Sequence, residues 1–178
     1  MTSRTEGGKT YTQGWTPENM LSSVSATGVS AQFSYDSDNV RVMSVVNGTT
    51  TVYIGNHYEK NMTTGAETKY YYFGGQRVAM RDTVVKWLHS DHLGSASLAT
   101  DASGSVVPNS ETRYKPYGER RATVAGTGLP AKWTFAGGYD FTASTGLLEF
   151  GARMFDPLIG RFISADTIVP GGGESAGV

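Results

Sequence analysis

Short apolar runs alternate with turns rich in glycine, asparagine and aspartate along most of the chain. The runs contain many aromatic and β-branched residues, which favour β-strands. No long window shows the 3.6-residue period of an amphipathic helix, and the best helical candidate, Pro17–Leu21, is short. The pattern predicts many short strands joined by tight turns, the clearest being Phe33–Tyr35, Arg41–Met43, Tyr70–Phe73, Arg77–Met80 and Val84–Leu88.

Aromatic residues recur along these runs at a nearly constant spacing. Tyr35, Tyr53 and Tyr71 are 18 residues apart, and Trp87 follows 16 residues later. About 18 residues suffice for two short strands and two turns, so the repeating unit is a β-hairpin. Hairpins stacked side by side predict an all-β fold, a strongly twisted antiparallel meander of about ten strands.

Turn residues punctuate this predicted meander. Gly74–Gly75 can adopt positive φ at both central positions of a two-residue hairpin turn. Asp101–Gly104 places an aspartate where it can bond the turn backbone and a glycine where φ is positive. In Asp156–Gly160 the proline presets φ and the glycine closes the turn.

Composition and charge exclude several classes of protein. The 178 residues include 23 Gly, 10 Tyr and 7 Phe but no Cys, so disulfides and thiolate metal sites are excluded. The net charge of −1 gives no field that would attract nucleic acid or anionic lipid. No apolar run is long enough to span a bilayer. We expect residues 1–10 to be disordered and the glycine-rich residues 171–178 to form a flexible tail.

Four motifs carry a resemblance to a known family, the Rhs or YD-repeat proteins, over about residues 11–170. Phe33–Val42 resembles the YD repeat, a Tyr-Asp pair followed by an Asp/Asn turn and Arg-Val. His89–Ser95 resembles the D-H-L-G-S signature of Rhs cores, and Arg113–Glu119 is similar to the Y-x-P-Y-G element. Gly146–Asp166 resembles the motif that ends the core.

The resemblance implies a structural role. In the bacterial members such repeats build a β-sheet that spirals into a hollow cocoon around a C-terminal toxin, and the core-ending motif plugs the shell. By this resemblance residues 11–134 form the repeat sheet and residues 135–170 the plug hairpins. We therefore expect part of a β-cocoon shell, a fragment or truncated paralogue that encapsulates or presents a C-terminal cargo.

The same resemblance implies partners and a location. The expected partners are a C-terminal toxin cargo or the remaining Rhs repeats, together with secretion machinery. As part of a larger bacterial protein the chain is expected to be secreted or at the cell surface. Expressed as an isolated chain it is expected in the cytoplasm. No nucleic acid, membrane span or cofactor is expected.

An aspartyl autoprotease core that releases the toxin is one alternative function. Asp156, Arg161 and Asp166 match the family's core-ending positions, and two carboxylates that share a site can divide acid and base roles. The other interpretation is that Asp156 caps a proline turn and Arg161 pairs with it. The chain reads Asp166-Thr167 where autoproteolytic relatives have Asp-Pro, and the downstream element is absent. We therefore expect that the chain is not an enzyme.

A carbohydrate-binding or adhesion module at a cell surface is the second alternative. The tyrosines Tyr70, Tyr71 and Tyr72 could stack on glycans, although such a run more often packs between strands. His89, Asp91 and His92 are candidate metal ligands by type. On a strand they would not share one face, so we expect hydrogen bonding at a turn and no metal.

Overall fold

A computed structural model describes residues 2–121 and 128–165 of the chain. Eleven strands form one antiparallel sheet in which every strand neighbours the next in sequence. They are β1 (Ser3–Glu6), β2 (Lys9–Trp15), β3 (Leu21–Ala26), β4 (Val29–Tyr35), β5 (Arg41–Val46), β6 (Thr49–Ile54), β7 (Tyr58–Asn61), β8 (Glu67–Phe73), β9 (Gln76–Arg81), β10 (Val85–Ser90) and β11 (Ala96–Thr100). The predicted all-β antiparallel meander is confirmed.

A second sheet of four antiparallel strands follows a long irregular stretch. It contains β12 (Tyr139–Phe141), β13 (Leu147–Phe150), β14 (Arg153–Asp156) and β15 (Arg161–Phe162), again in sequence order. A 3-10 turn (Phe135–Gly137) precedes it, and the one-turn helix α1 (Thr142–Thr145) joins β12 to β13. The hairpins expected within residues 135–163 are therefore present as a separate sheet.

One turn geometry recurs and explains the sequence motifs. In each case the backbone N–H of the first of five residues donates to the carbonyl of the fifth. The N–H of the fourth residue, which has positive φ, donates to the carbonyl of the first. In three of them an aspartate Oδ1 also accepts the amide N–H groups two and four residues ahead. The Asp/Asn turn of the YD motif and the D-H-L-G-S signature are therefore the same local structure. The five turns are Thr16–Met20, Asp36–Val40, Asp91–Ser95, Asp101–Ser105 and Lys115–Glu119.

A tyrosine that precedes such a turn ties it to the neighbouring hairpin. The Tyr35 hydroxyl donates to the carbonyl of Leu21 at 2.9 Å, and Leu21 is the first residue after the preceding turn. Tyr114 makes the equivalent bond to the carbonyl of Ala96, also at 2.9 Å. The Tyr35-Asp36 pair thus combines a link between hairpins with a cap for the turn.

The core lies between the two sheets. Residues of β2–β6 and of β12–β14 form one buried apolar cluster, in which the Phe33 and Phe141 rings meet edge-on at 5.0 Å. A second cluster joins β8–β11 to Leu129 and Ala131 of the irregular stretch. The four-stranded sheet therefore covers the first half of the long sheet, and non-repetitive chain covers the second half.

Two details differ from the sequence-based expectations. We expected disorder up to residue 10, but residues 3–6 and 9–15 form paired strands. They are ordered because Arg4 and Tyr11 are buried against the second sheet. The aromatic spacing also mixes two faces. Tyr53 is buried, but Tyr71 and Trp87 are 41% and 47% exposed, and the buried ring on β8 is Tyr70. Residues 166–178, including the expected tail, lie outside the described residues.

Candidate functional site between the two sheets

A buried ion pair joins the centres of the two sheets. Arg41 lies at the start of β5, and its Nε donates to both oxygens of Glu149 on β13, at 2.9 and 2.8 Å. Its Nη2 lies 2.6 Å from Glu149 Oε2. The guanidinium also packs on the rings of Tyr53, Tyr139 and Phe141, at 3.7, 4.4 and 4.9 Å from their centroids. Burial by itself would lower the pKa of Arg41, but the adjacent Glu149 carboxylate reverses this and raises it.

A second buried carboxylate, Glu59 on β7, is held by two tyrosine hydroxyls. Tyr139 donates to its Oε2 at 2.8 Å and Tyr70 to its Oε1 at 3.0 Å. Burial raises the pKa of both tyrosines above the ordinary value, so both hydroxyls keep their protons and act as donors at neutral pH. Glu59 therefore links β8 of the long sheet to β12 of the second sheet.

Asp156, the first sequence-predicted site residue, is fixed by three groups. Its Oδ2 accepts from Arg4 Nη1 at 2.8 Å. Its Oδ1 accepts from the backbone N–H groups of Leu158 and Ile159, at 2.9 and 3.4 Å. Arg4 also donates to the carbonyl of Thr145 before the start of β13. Asp156 is only 1% exposed, so its carboxylate caps the turn and ties β1 to the second sheet.

The other two predicted site residues do not join Asp156 in the described structure. Arg161 is opposite Asp156 in the β14–β15 register, but its side chain is exposed. Within residues 2–121 and 128–165, the ion pair of Asp156 is made with Arg4 and none is made with Arg161. Asp166 lies outside the described residues.

A different carboxylate, Glu6, lies on the far side of Arg4. Its Oε2 is 3.4 Å from Arg4 Nη2, and the side chain is 21% exposed. Burial raises the pKa of Glu6, with the negative charge of Asp156 adding to the rise and Arg4 opposing it. Arg4 therefore lies between the acidic side chains of Glu6 and Asp156, and both oxygens of Asp156 accept hydrogen bonds.

The remaining sequence candidates have structural contacts. Asp91 caps the turn before β11 through Leu93 and Ser95 amides, and His89 Nε2 is 3.0 Å from Thr100 Oγ1. In the described part of the chain no three His, Cys, Asp or Glu side chains cluster as metal ligands. Tyr70 is turned inward to Glu59, and the Tyr72 hydroxyl donates to the carbonyl of Asn56 at 3.0 Å.

Sequence reasoning placed Arg41 and Glu149 within family motifs but assigned them no contact with each other. Two signals could have revealed the pairs. Arg4, Arg41 and Arg77 recur at intervals of 37 and 36 residues. Glu149 is the single charge inside the apolar run Leu147–Phe150, and an isolated charge in a buried strand requires a partner. The pairing itself joins residues 108 positions apart, which no local pattern predicts.

Comparison with known proteins identifies relatives that are similar in sequence. No family model matches the chain. It is 28% identical over 183 residues to the tRNA3(Ser)-specific nuclease WapA of Bacillus spizizenii and, equally, to the tRNA nuclease WapA of Bacillus subtilis. Each alignment covers 97% of this chain but only 8% of the relative.

Solved structures share the fold. The crystal structure of TcdB2-TccC3-Cdc42 matches with a TM-score of 0.70 at 20% identity, over 90% of this chain and 9% of that one. TcdB2-TccC3 without its hypervariable C-terminal region matches at 0.69 and 20% identity, over 88% of this chain and 9% of that chain. The chain thus spans less than a tenth of these proteins. Among residues 2–121 and 128–165 no helix is long and apolar enough to cross a bilayer.

Proposed function

We propose that the chain is a segment of an Rhs/YD-repeat shell whose repeat sheet forms part of a wall around a C-terminal toxin cargo. The observation that carries this proposal is the placement of the C-terminal hairpins. They lie on one face of an eleven-stranded meander and are held there by the buried pairs Arg41–Glu149 and Arg4–Asp156. Residues 11–134 would then be wall and residues 135–170 plug.

The edges of the long sheet support a role as a segment of a larger sheet. The edge beyond β11 is covered, since Val107 and Thr112 donate to carbonyls of Ala99 and Ser97 at 2.9 and 2.7 Å. In the described residues β1 pairs only with β2, so its other edge is open to a further strand. We propose that preceding repeats pair at this edge, because unpaired strand edges otherwise favour aggregation.

The charged groups between the sheets support a structural and not a catalytic role. The oxygens of Glu149, Glu59 and Asp156 all accept hydrogen bonds within the protein, so these carboxylates are held as cross-links. The tRNA nuclease activity in the names of the WapA relatives belongs to proteins of which the alignment covers only 8%. We propose that this chain has no nuclease activity and that any toxic activity belongs to its cargo. Secretion machinery would export the larger bacterial protein.

Cryo-electron microscopy of the natural gene product that carries this sequence tests the proposal. We expect a closed or spiral β-wall in which β1 pairs with a preceding strand and β12–β15 line the inside. A particle in which β1 faces solvent and no strand-walled cavity exists would contradict the proposal.

Self-cleavage through Asp156, Arg161 and Asp166 is one alternative function, and the prediction that the chain does not cleave itself has its own test. Intact-mass spectrometry of the purified chain after prolonged incubation should give a single uncut species. A cut that is absent in Asp156→Asn and retained in Asp36→Asn, a turn aspartate of the long sheet, would instead establish autoproteolysis. Of the three tyrosines named for the glycan alternative, Tyr70 is buried and Tyr71 is exposed, so stacking on a glycan would have to involve Tyr71.

A further inference from the structure

Three arginines occupy equivalent positions in the long sheet. Arg4, Arg41 and Arg77 lie near the starts of β1, β5 and β9, which run in the same direction and are each four strands apart. All three guanidinium groups lie over aromatic rings on the inner face. Arg4 and Arg41 are each bound by a buried carboxylate, Asp156 and Glu149 respectively.

Arg77 lacks this carboxylate. Its Nη2 donates to the Tyr72 hydroxyl, and its guanidinium centre lies 4.3, 5.0 and 5.3 Å from the ring centroids of Trp133, Tyr72 and Tyr70. None of the ion pairs in the described residues involves Arg77. Its Nε is buried without a hydrogen-bond partner, as are Nε of Arg4 and Nη1 of Arg41. Arginine has five N–H donors, so a guanidinium that has no carboxylate partner and borders an open space is a candidate contact for an acceptor.

An open cavity of about 280 Å³ adjoins this guanidinium. It lies at the rim where the turns after β6, β8 and β10 meet the 3-10 turn. The polar lining groups besides Arg77 are uncharged, and no acidic side chain lines it. The volume is at the low end for ligand sites, which suits a single side chain and not a cofactor. Its polar lining consists of Asn56, Tyr72, Gln76, Ser90 and the Trp133 indole edge.

We propose that the Arg77 cavity binds a carboxylate side chain presented by another polypeptide segment, in the manner of Glu149 at Arg41 and Asp156 at Arg4. Guanidinium and carboxylate match in a bidentate geometry, and the rings of Tyr72 and Trp133 pack against the guanidinium. A carboxylate is favoured over phosphate because the cavity offers one cation and no second lysine or arginine. The inference is independent of the proposed function, since such binding can occur whether or not the chain encloses a cargo.

Nuclear magnetic resonance titration of the full chain tests this inference. The probe is a blocked Gly-Asp-Gly tripeptide, and the matched control is the isosteric Gly-Asn-Gly peptide. We expect the aspartate peptide at millimolar concentrations to shift the Arg77 Nε–Hε and Trp133 indole signals, with at least tenfold weaker shifts from the asparagine peptide. Inorganic phosphate serves as a third probe that distinguishes a free anion from a side chain.

Three variants make the outcome specific to the cavity. Arg77→Met should weaken binding of the aspartate peptide at least tenfold, whereas Arg81→Met, an exposed residue of the same strand, should leave it unchanged. If Arg77→Met does not fold, Gln76→Glu provides the second test, because a carboxylate in the lining should also weaken binding at least tenfold. The inference is overturned if both peptides bind equally, if phosphate binds more tightly than the aspartate peptide, if neither signal shifts, or if Gln76→Glu binds like the parent.

Discussion

The two halves of the long sheet are covered in different ways. Strands β1–β6 pack against a regular second sheet through a large apolar cluster and two buried arginine–carboxylate pairs. Strands β8–β11 pack against irregular chain through a smaller apolar cluster, while Glu59 of β7 contacts the second sheet through Tyr139. Among the described residues Arg77, the equivalent arginine of this half, has no carboxylate partner. Apolar burial is non-directional, whereas a bidentate ion pair has one geometry. The contrast indicates that the ion pairs fix where the C-terminal hairpins sit.

The largest expected effect comes from breaking the central pair. Arg41→Met leaves the Glu149 carboxylate buried without its counter-ion, and breaking such a pair typically costs about 3–5 kcal/mol. Urea unfolding of parent and variant measures the loss. Arg81→Met, at an exposed position of β9, is the control and should change the free energy of unfolding by less than about 0.5 kcal/mol. A loss of that small size at Arg41 would mean that the pair is dispensable.

The close approach of Gly118 to Phe135 tests how tightly the irregular chain between the two sheets is packed. Gly118 and Gly104 occupy the same position of two equivalent turns, with φ of 94° and 85°. A Cβ at Gly118 would lie 2.6 Å from Phe135 and 3.1 Å from Leu148, but a Cβ at Gly104 would meet nothing within 4 Å.

Both alanine substitutions should cost about 1–2 kcal/mol from the left-handed backbone alone. Gly118→Ala should cost about 1–3 kcal/mol more, because the ring of Phe135 must move. Thermal unfolding of the two variants side by side gives the difference. Equal losses would show that the cover is loose around Phe135.

Arg77→Met sharpens the comparison of the two halves. No carboxylate loses its partner there, so the loss should be limited to the hydrogen bond to Tyr72 and to cation–π and packing contacts, about 1–2 kcal/mol. The same urea experiment that measures Arg41→Met gives this value. A loss as large as that of Arg41→Met would remove the distinction between paired and unpaired arginines.

The smallest effect is a pH dependence at the edge strand. Burial raises the pKa of Glu6 above 4.5, so the folded state binds its proton more tightly than the unfolded state. The Glu6 contribution is therefore fully present below the unfolded pKa and is lost as pH rises through the folded value. Glu6→Gln should flatten the decline in unfolding midpoint as pH rises above the ordinary glutamate pKa.

Glu67 provides a control of opposite sign. Its hydrogen bond with Lys60 lowers the pKa of Glu67, so its contribution is lost as pH falls, and Glu67→Gln should flatten a rise in stability with pH. Changes of the same sign in both variants would contradict the assignment at Glu6.

The sequence predicted the turns and hairpins well because these depend on residues that are close together in the chain. The turn at Asp101–Gly104 and the hairpin at Gly74–Gly75 follow from φ preferences and from a side chain that bonds its own turn. The order of the strands follows from hairpins that pair with their neighbours. The contacts between the sheets do not follow in this way, because Arg4–Asp156 joins residues 152 positions apart.

Two expectations differ from the structure because the sequence alone does not show which residues face the core. A spacing of 18 residues located strands but could not separate Tyr70, which is buried, from Tyr71, which is exposed. The pairing of Tyr53 with Glu59, and of Glu59 with Thr68, puts Tyr70 and not Tyr71 on the face of Tyr53. The polar residues 1–10 suggested disorder because no apolar run is present. These residues are instead ordered through Arg4, a charged residue that can be buried because it forms an ion pair with the distant Asp156.

A double-mutant cycle on Arg41 and Glu149 tests most directly whether the ion pair positions the second sheet. Arg41→Met and Glu149→Met should each destabilise the chain strongly, while the double variant should recover most of the loss, since neither charge is then left unpaired. Hydrogen exchange on β13 in the double variant should nevertheless be faster than in the parent, because the apolar contacts alone no longer fix its position. Additive losses in the cycle, or unchanged exchange on β13, would contradict the account.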